Sequence, residues 1–320
     1  MKEILIRGVQ QGLGVTWTLS KVIFPITVLI TILQFTPVLP WVVEMLTPMM
    51  SWIGLSGEAA VPLVLGNTLN LYAGIAAIVS FDFSVREVFI MAVMLSFSHN
   101  LFIESSVATR VGIKWPIVVG IRITLALFSA IMINTFWKGG QELAQYGFIS
   151  SDPASPEGWF AIGLEGFQTA TVSVLQLALI VIPLMVILQI FREIGWMKKI
   201  SDRLAPFTKL MGMNSNASMT LVAGLSIGLA YGTGVMVQAV KEDGVSKKDM
   251  YLAFIFLVSC HAVVEDTLVF IPLGIPVWPL LLIRLFTALI LTACIGFIWN
   301  RKQARKRREE LADGHSYDSV

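Results

Sequence analysis

The stretch Gly66-Asn67-Thr68-Leu69-Asn70-Leu71-Tyr72-Ala73-Gly74 breaks an otherwise apolar segment, 59 to 80, with glycines and hydrogen-bonding side chains. A counterpart, Gly224-Leu225-Ser226-Ile227-Gly228-Leu229-Ala230-Tyr231-Gly232-Thr233-Gly234, breaks the segment 214 to 240 in the same way. The two are 158 residues apart (66 to 224, 74 to 232), and the same shift carries Gly8 onto Gly166, Pro25 onto Pro183, Pro48 onto Pro206 and Gly54 onto Gly212. Beyond a longer polar loop, Lys241-Glu242-Asp243-Gly244, the shift becomes 162: His99 falls on His261, Glu104 on Asp266, Gly112 on Gly274 and Arg122 on Arg284. Internal duplication on this scale in an apolar chain is how many membrane transporters are built.

Composition agrees with a membrane setting. Of 320 residues 56% are hydrophobic and 14% charged, with a mean hydropathy of +0.77, whereas a soluble chain is about a quarter charged. Unbroken apolar stretches lie near 15 to 35, 88 to 107, 117 to 136, 170 to 191, 250 to 270 and 279 to 299, each near the roughly 20 residues that a crossing helix needs. Residues 1 to 14 lack the apolar core and small-residue cleavage site of a removable signal peptide. Cys260 and Cys294 both lie in apolar stretches, so neither a disulfide framework nor a CxxC motif is available. There is no GxxxxGK[ST] or HExxH, so nucleotide hydrolysis and zinc-dependent proteolysis are not expected, and no cofactor is implied.

Lys and Arg collect on the cytoplasmic side of membrane proteins. They crowd the N-terminus, the loop of Arg110 and Lys114, the segment Arg192 to Lys209, the loop of Lys247 and Lys248, and the tail from Arg301. They are absent from 36 to 58 and 271 to 278. All rich loops fall inside only if 59 to 80 and 214 to 240 are re-entrant hairpins, entering from outside and inside respectively. The predicted fold is therefore all-α and integral to the membrane. Each of two inverted-topology repeats has three transmembrane helices, one re-entrant or broken hairpin and an interfacial helix, Trp41 to Trp52 in the first and Met197 to Leu210 in the second. The repeats span 1–136 and 161–299, with an external linker at 137–160 and a basic cytoplasmic tail at 300–320. Both termini are expected in the cytoplasm. Eight plain spans in a parallel duplication is the alternative.

Non-helical backbone survives at membrane depth only in protein or beside a wet cavity, which draws attention to the hairpin tips. Asn67, Thr68, Asn70 and Tyr72 in the first, with Ser226, Tyr231 and Thr233 in the second, offer donors and acceptors for a substrate, or equally serve tight helix packing. Ser98 and His99 with Glu104, and Cys260 and His261 with Glu265 and Asp266, form the other constellation. A histidine inside a bundle can take a proton, hold a cation or donate to a substrate, or simply tie helices together. At four residues from His261, Glu265 falls on the same helix face. Arg122 and Arg284 come level with Glu104 and Asp266, predicting two ion pairs, one toward each membrane face, as clamps or as gates that break and remake. Glu104, Arg122, Glu265, Asp266 and Arg284 are thus the coupling or gating candidates.

The duplicated unit resembles the Gate domain, also called the nucleoside recognition domain. The resemblance rests on the Pro-bearing first helix, the Gly-rich broken segment, the Ser/Cys-His-x-x-x-x-Glu/Asp helix and the Arg-bearing span that follows. It covers roughly 15 to 136 and 170 to 298. The domain is shared by concentrative nucleoside transporters, the membrane part of the ferrous iron transporter B and the spore maturation membrane proteins. The resemblance implies a bacterial or archaeal cytoplasmic-membrane protein, multi-pass, with paired hairpins around a midplane site. The favoured expectation is an ion-gradient-driven or passive transporter of a small polar, nucleoside-like solute by alternating access. The alternatives are a divalent metal ion carried by His99, His261, Glu265 and Asp266, and a non-transporting scaffold subunit. The expected partners are the substrate, the lipid bilayer and a second copy or a related Gate protein, with no nucleic acid.

Overall fold

A computed structural model describes residues 2–110, 112–146, 158–194, 196–218, 220–225, 228 and 245–317. These residues are helical throughout, apart from loops and one isolated bridge between Ser84 and Leu143. Helix α1 (Lys2–Gln34) is followed by α2 (Val38–Trp52), the short hairpin α3 (Ala60–Thr68) and α4 (Leu71–Ile78), then α5 (Val85–Ser98), α6 (Leu101–Arg110) and α7 (Trp115–Phe136). The second half runs α8 (Trp159–Glu193), α9 (Trp196–Leu210), α10 (Lys247–Ser259), α11 (Glu265–Leu268) and α12 (Val277–Tyr317).

Among the described residues five helices are long and apolar enough to cross a membrane: Lys2–Gln34, Val85–Thr109, Trp115–Phe136, Trp159–Ile187 and Val277–Lys306. The pair Val38–Trp52 and Gly57–Thr68, bent by 94°, would make a sixth. The predicted span 250 to 270 is not one helix, because the backbone leaves the helix after Ser259 and Ala262 sits at φ 41°. The predicted span 88 to 107 falls within Val85–Thr109, which is long and apolar enough to cross although Asn100, at φ 49°, interrupts it between α5 and α6. Helices α1 and α8 start well before the predicted residues 15 and 170, since polar first turns are tolerated once the apolar stretch has nucleated the helix. The basic tail is likewise no separate segment: α12 runs through it to Tyr317.

Local structure repeats at the shifts read from the sequence. Ser84 caps α5 by accepting from Glu87 N, while Glu87 Oε2 accepts from Ser84 N at 3.1 Å. At the matching position Ser246 caps α10 by accepting from Asp249 N at 3.1 Å. These caps satisfy amide donors that a helix start leaves orphaned. Gly54 and Gly212 turn the chain at φ 79° and 77°, Gly112 and Gly274 at 81° and 68°. In the first hairpin α3 and α4 pack through glycine, a Cβ on Gly74 lying 3.0 Å from Gly66 Cα. The second hairpin tip lies outside the described residues.

Helix α5 forms the inner layer: 83% of the most apolar window of Val85–Thr109 is buried, against 28% in Lys2–Gln34 and 22% in Val277–Lys306. The outer helices present Trp17, Phe128, Leu179 and Phe286 outward, as lipid-facing helices do. Helices α1 and α8 pack antiparallel, Gly8 facing Val186, Gly12 facing Ile182 and Gly166 facing Val28. Gly166 is the repeat mate of Gly8, and Val186 of Val28. The contact therefore maps onto itself when the halves are exchanged, as in an isologous interface.

A Cβ on Gly12 would lie 2.8 Å from Ile182 Cα, whereas nothing stands within 4 Å of one on Gly14. Gly12→Ala is expected to lower the thermal stability of the detergent-solubilised protein by about 1–3 kcal/mol through overpacking. Gly14→Ala is expected to be neutral or stabilising by up to about 1 kcal/mol through helix propensity. Melting curves of the two variants check the contrast.

Candidate histidine–carboxylate centre

Two helices break at their histidines, and the breaks build the centre. After α5, His99 takes an extended ψ of 155°, Asn100 turns at φ 49°, and Asn100 N donates to Gly66 O at 2.8 Å. After α10, Ala262 N donates to Gly224 O at 3.1 Å and Val263 N to Leu225 O at 2.8 Å. In each half the backbone of the hairpin arm thus supplies acceptors that the interrupted helix no longer provides. The carbonyls freed by the break turn to arginine. Arg122 Nε donates to Phe97 O at 2.7 Å and its Nη2 to His99 O at 2.6 Å. Arg284 Nη2 donates to His261 O at 2.6 Å. A cation at a helix C-terminus also meets the negative end of the helix dipole.

The same guanidinium groups hold the acids. Arg122 Nη2 lies 2.8 Å from Glu104 Oε2 and Arg284 Nη2 lies 3.0 Å from Asp266 Oδ2. Both ion pairs expected from the sequence are therefore made. They do not point to opposite membrane faces, because each broken helix folds its acid back to the middle. The His99 and His261 rings stand 5.3 Å apart, tilted by 40°. His261 Nε2 is 3.2 Å from Glu104 Oε2 and 3.7 Å from Asp266 Oδ2. His99 Nε2 is 3.5 Å from Glu104 Oε1 and 4.0 Å from Asp266 Oδ2. All six residues are buried, the two arginines completely.

The histidine tautomers follow from the acceptors. His99 Nδ1 faces Leu95 O at 2.7 Å and His261 Nδ1 faces Leu257 O at 2.8 Å. A carbonyl only accepts, so each Nδ1 carries a hydrogen and, in a neutral ring, each Nε2 presents a lone pair. Both Nε2 atoms then confront carboxylate oxygens. The approach of His261 Nε2 to Glu104 is close but poorly aligned, and this buried nitrogen has no hydrogen-bond partner. Four lone-pair groups converging in a buried space need a proton or a metal cation between them.

The other residues singled out in the sequence are placed differently. Glu265 does not share a helical turn with His261, because the chain between them is non-helical; its Oε1 accepts from Tyr72 OH at 2.6 Å. Ser98 and Thr68 donate to Met94 O and Val64 O of their own helices, and Asn70 caps α4 by accepting from Ala73 N. Asn67 Oδ1 is buried without a partner. Ser226, Tyr231 and Thr233 lie outside the described residues. Sequence reasoning missed the roles of Phe97 O and the Leu95 and Leu257 carbonyls, which no side-chain pattern encodes. It also missed the helix break, although His99-Asn100 contained a signal, Asn being tolerant of positive φ.

Removing one member of a buried pair strands the other. Arg122→Ala is expected to cost about 3–5 kcal/mol of stability. Arg122→Lys should recover little of it, because an ammonium cannot bond Phe97 O, His99 O and Glu104 together in the arginine fork. Thermal unfolding in detergent tests both variants; unchanged melting in Arg122→Ala contradicts the role given to this pair.

The described family Gate, "Nucleoside recognition", matches residues 16–125 and 174–275. A protein of Bacillus subtilis (strain 168) described as "Uncharacterized membrane protein YvoD" is 62% identical over 301 residues, covering 94% of this chain and 96% of the relative. No solved structure matches. The family and the membrane relative together point to a membrane transport-related role. With two matched segments that take in both histidines, both acids and Arg122, the chain belongs to the Gate, or nucleoside recognition, family.

Proposed function

We propose that this protein carries a divalent transition-metal ion across the bacterial cytoplasmic membrane, using the histidine–carboxylate centre as its midplane site. One observation carries the reading: His99, His261 and Asp266 each offer a ligand atom, and these atoms lie within 4.8 Å of one another. Imidazole and carboxylate together suit iron(II), zinc or manganese. The Nδ1–H donations to Leu95 O and Leu257 O are the outer-shell bonds that orient metal-binding histidines.

Antiparallel, self-matching packing of α1 on α8 supports an inverted-repeat arrangement, and the positive loops support cytoplasmic termini. In such a protein the two halves rock around the centre and expose it to each side in turn. Glu104 and Asp266, held by arginines on α7 and α12, couple ligand binding to the positions of those outer helices. A second reading, a nucleoside-like solute with the centre holding the coupling ion, draws on the family's description and on the unpartnered Asn67 Oδ1 at the first hairpin.

Calorimetric titration of the purified protein with zinc, manganese and anaerobic iron(II) tests the proposal. Wild type is expected to bind one ion, with His99→Ala and His261→Ala each weakening it by more than the roughly 10–100-fold typical of outer-shell changes. Binding indifferent to both substitutions contradicts the metal reading. Thermal stabilisation by nucleosides without any metal response would favour the second one.

A further inference from the structure

The turn that ends α9 is seated on α12, where that helix leaves its apolar stretch. Gly212 turns the chain at φ 77°, and a Cβ there would lie 3.3 Å from Gly296 Cα and 3.1 Å from Asn300 Nδ2. Lys248, in the first turn of α10, locks the joint: its Nζ donates to Gly212 O at 2.7 Å and to Asn300 Oδ1 at 2.9 Å. Gly212 N in turn donates to Lys209 O at 3.0 Å. This chain of bonds brings the basic end of α9, Lys209, to the same corner as Arg301, the residue after Asn300.

The corner is cationic and open. Lys199, Arg203 and Lys209 are exposed on α9, as are Arg301 and Lys302 on α12, against one exposed acid on α9, Asp202. No described carboxylate lies within 4.0 Å of these five basic side chains, whereas Arg305, one turn further along, is paired with Glu309 at 2.7 Å. Apolar side chains border the charges: Phe207 and Leu210 on α9 and Phe297 and Ile298 on α12 are all more than half exposed. The Arg301 guanidinium stands 4.7 Å from the Phe297 ring centroid, which draws the charge back toward the last apolar turn, the level of lipid headgroups.

The first half builds the same joint without the charges. A Cβ on Gly54 would meet the Asn134 side chain, and Arg86, the mate of Lys248, donates to Asn134 O and Oδ1 at 2.6 Å each. The mates of Lys199, Arg203 and Lys209 there are Trp41, Met45 and Ser51 (minus 158), and those of Arg301 and Lys302 are Gly139 and Gly140 (minus 162). The scaffold therefore does not require the basic residues. Membrane orientation asks only for Lys and Arg in the cytoplasmic loops, not for their gathering from two distant segments around one locked joint.

We propose that this corner binds an anionic phospholipid, with its phosphate between Lys209 and Arg301 and its acyl chains along the exposed apolar side chains of α9 and α12. Basic residues just beyond a crossing helix attract anionic headgroups, and the adjoining apolar surface selects a lipid over a free phosphate. The bound lipid pins α9 to α12, the helix that carries Arg284 into the centre. This holds whatever the centre carries.

Native mass spectrometry of the full-length protein in a neutral detergent, titrated with phosphatidylglycerol or phosphatidylcholine, tests the proposal. Phosphatidylglycerol is expected to bind at least about tenfold more tightly than phosphatidylcholine. Lys209→Gln and Arg301→Gln should each weaken it about fivefold, while Arg308→Gln, two turns further along the same face of α12, should change it less than about twofold. All three replace exposed side chains, and melting curves without lipid check that they fold alike. Equal binding of the two lipids, an equal loss in all three variants, or displacement of phosphatidylglycerol by excess glycerol phosphate overturns the proposal. The second of these outcomes assigns the attraction to diffuse charge, and the third assigns the corner to a free phosphate.

Discussion

A backbone group left without a partner inside a bilayer costs on the order of several kcal/mol, so a helix that breaks at membrane depth must have its free ends satisfied by protein. This constraint governs the structure. Helices α5 and α10 each break at a histidine, and each break frees carbonyls on one side and amides on the other. The hairpin carbonyls of Gly66 and Gly224 take the amides, while Arg122 and Arg284 take the carbonyls. Arginine brings a charge, the charge demands a carboxylate, and Glu104 and Asp266 supply it. Satisfying two broken helices therefore gathers four ionisable groups and two imidazoles in one place.

The hairpin and the centre are consequently one mechanical unit. Gly66 accepts from Asn100, the residue after His99, so a shift of the hairpin moves the histidine backbone directly. Close packing tightens the linkage: a Cβ on Gly66 would strike Leu95, whose carbonyl orients the His99 ring, and one on Gly224 would strike Leu257, which does the same for His261. In each half the hairpin arm and the histidine backbone are thus joined by direct contacts.

Much of this was legible in the sequence, and the reason is duplication. A shift of 158 or 162 residues aligned the histidines, the acids and the arginines, and the ion pairs Arg122–Glu104 and Arg284–Asp266 followed from burial cost alone. Helices also stand where the sequence led to the expectation of Trp41 to Trp52 and Met197 to Leu210, over Val38–Trp52 and Trp196–Leu210. The helix breaks did not follow, because hydropathy averages over about 20 residues and cannot register one residue, Asn100 or Ala262, at positive φ. That omission produced two errors. Glu265 was given a helical turn in common with His261, and the ion pairs were sent to opposite faces. Thr68 and Asn70 serve the local needs of helix ends, a use that composition does not distinguish from ligand binding.

The central claim is that histidines from the two halves share one cation. X-ray absorption of zinc-loaded protein measures this directly, because imidazole gives a multiple-scattering pattern that carboxylate and water lack. The account predicts two imidazole ligands per zinc in wild type and one in His99→Ala or His261→Ala. A wild-type zinc bound by oxygen alone, or by a single imidazole lost in only one of the two variants, would contradict it.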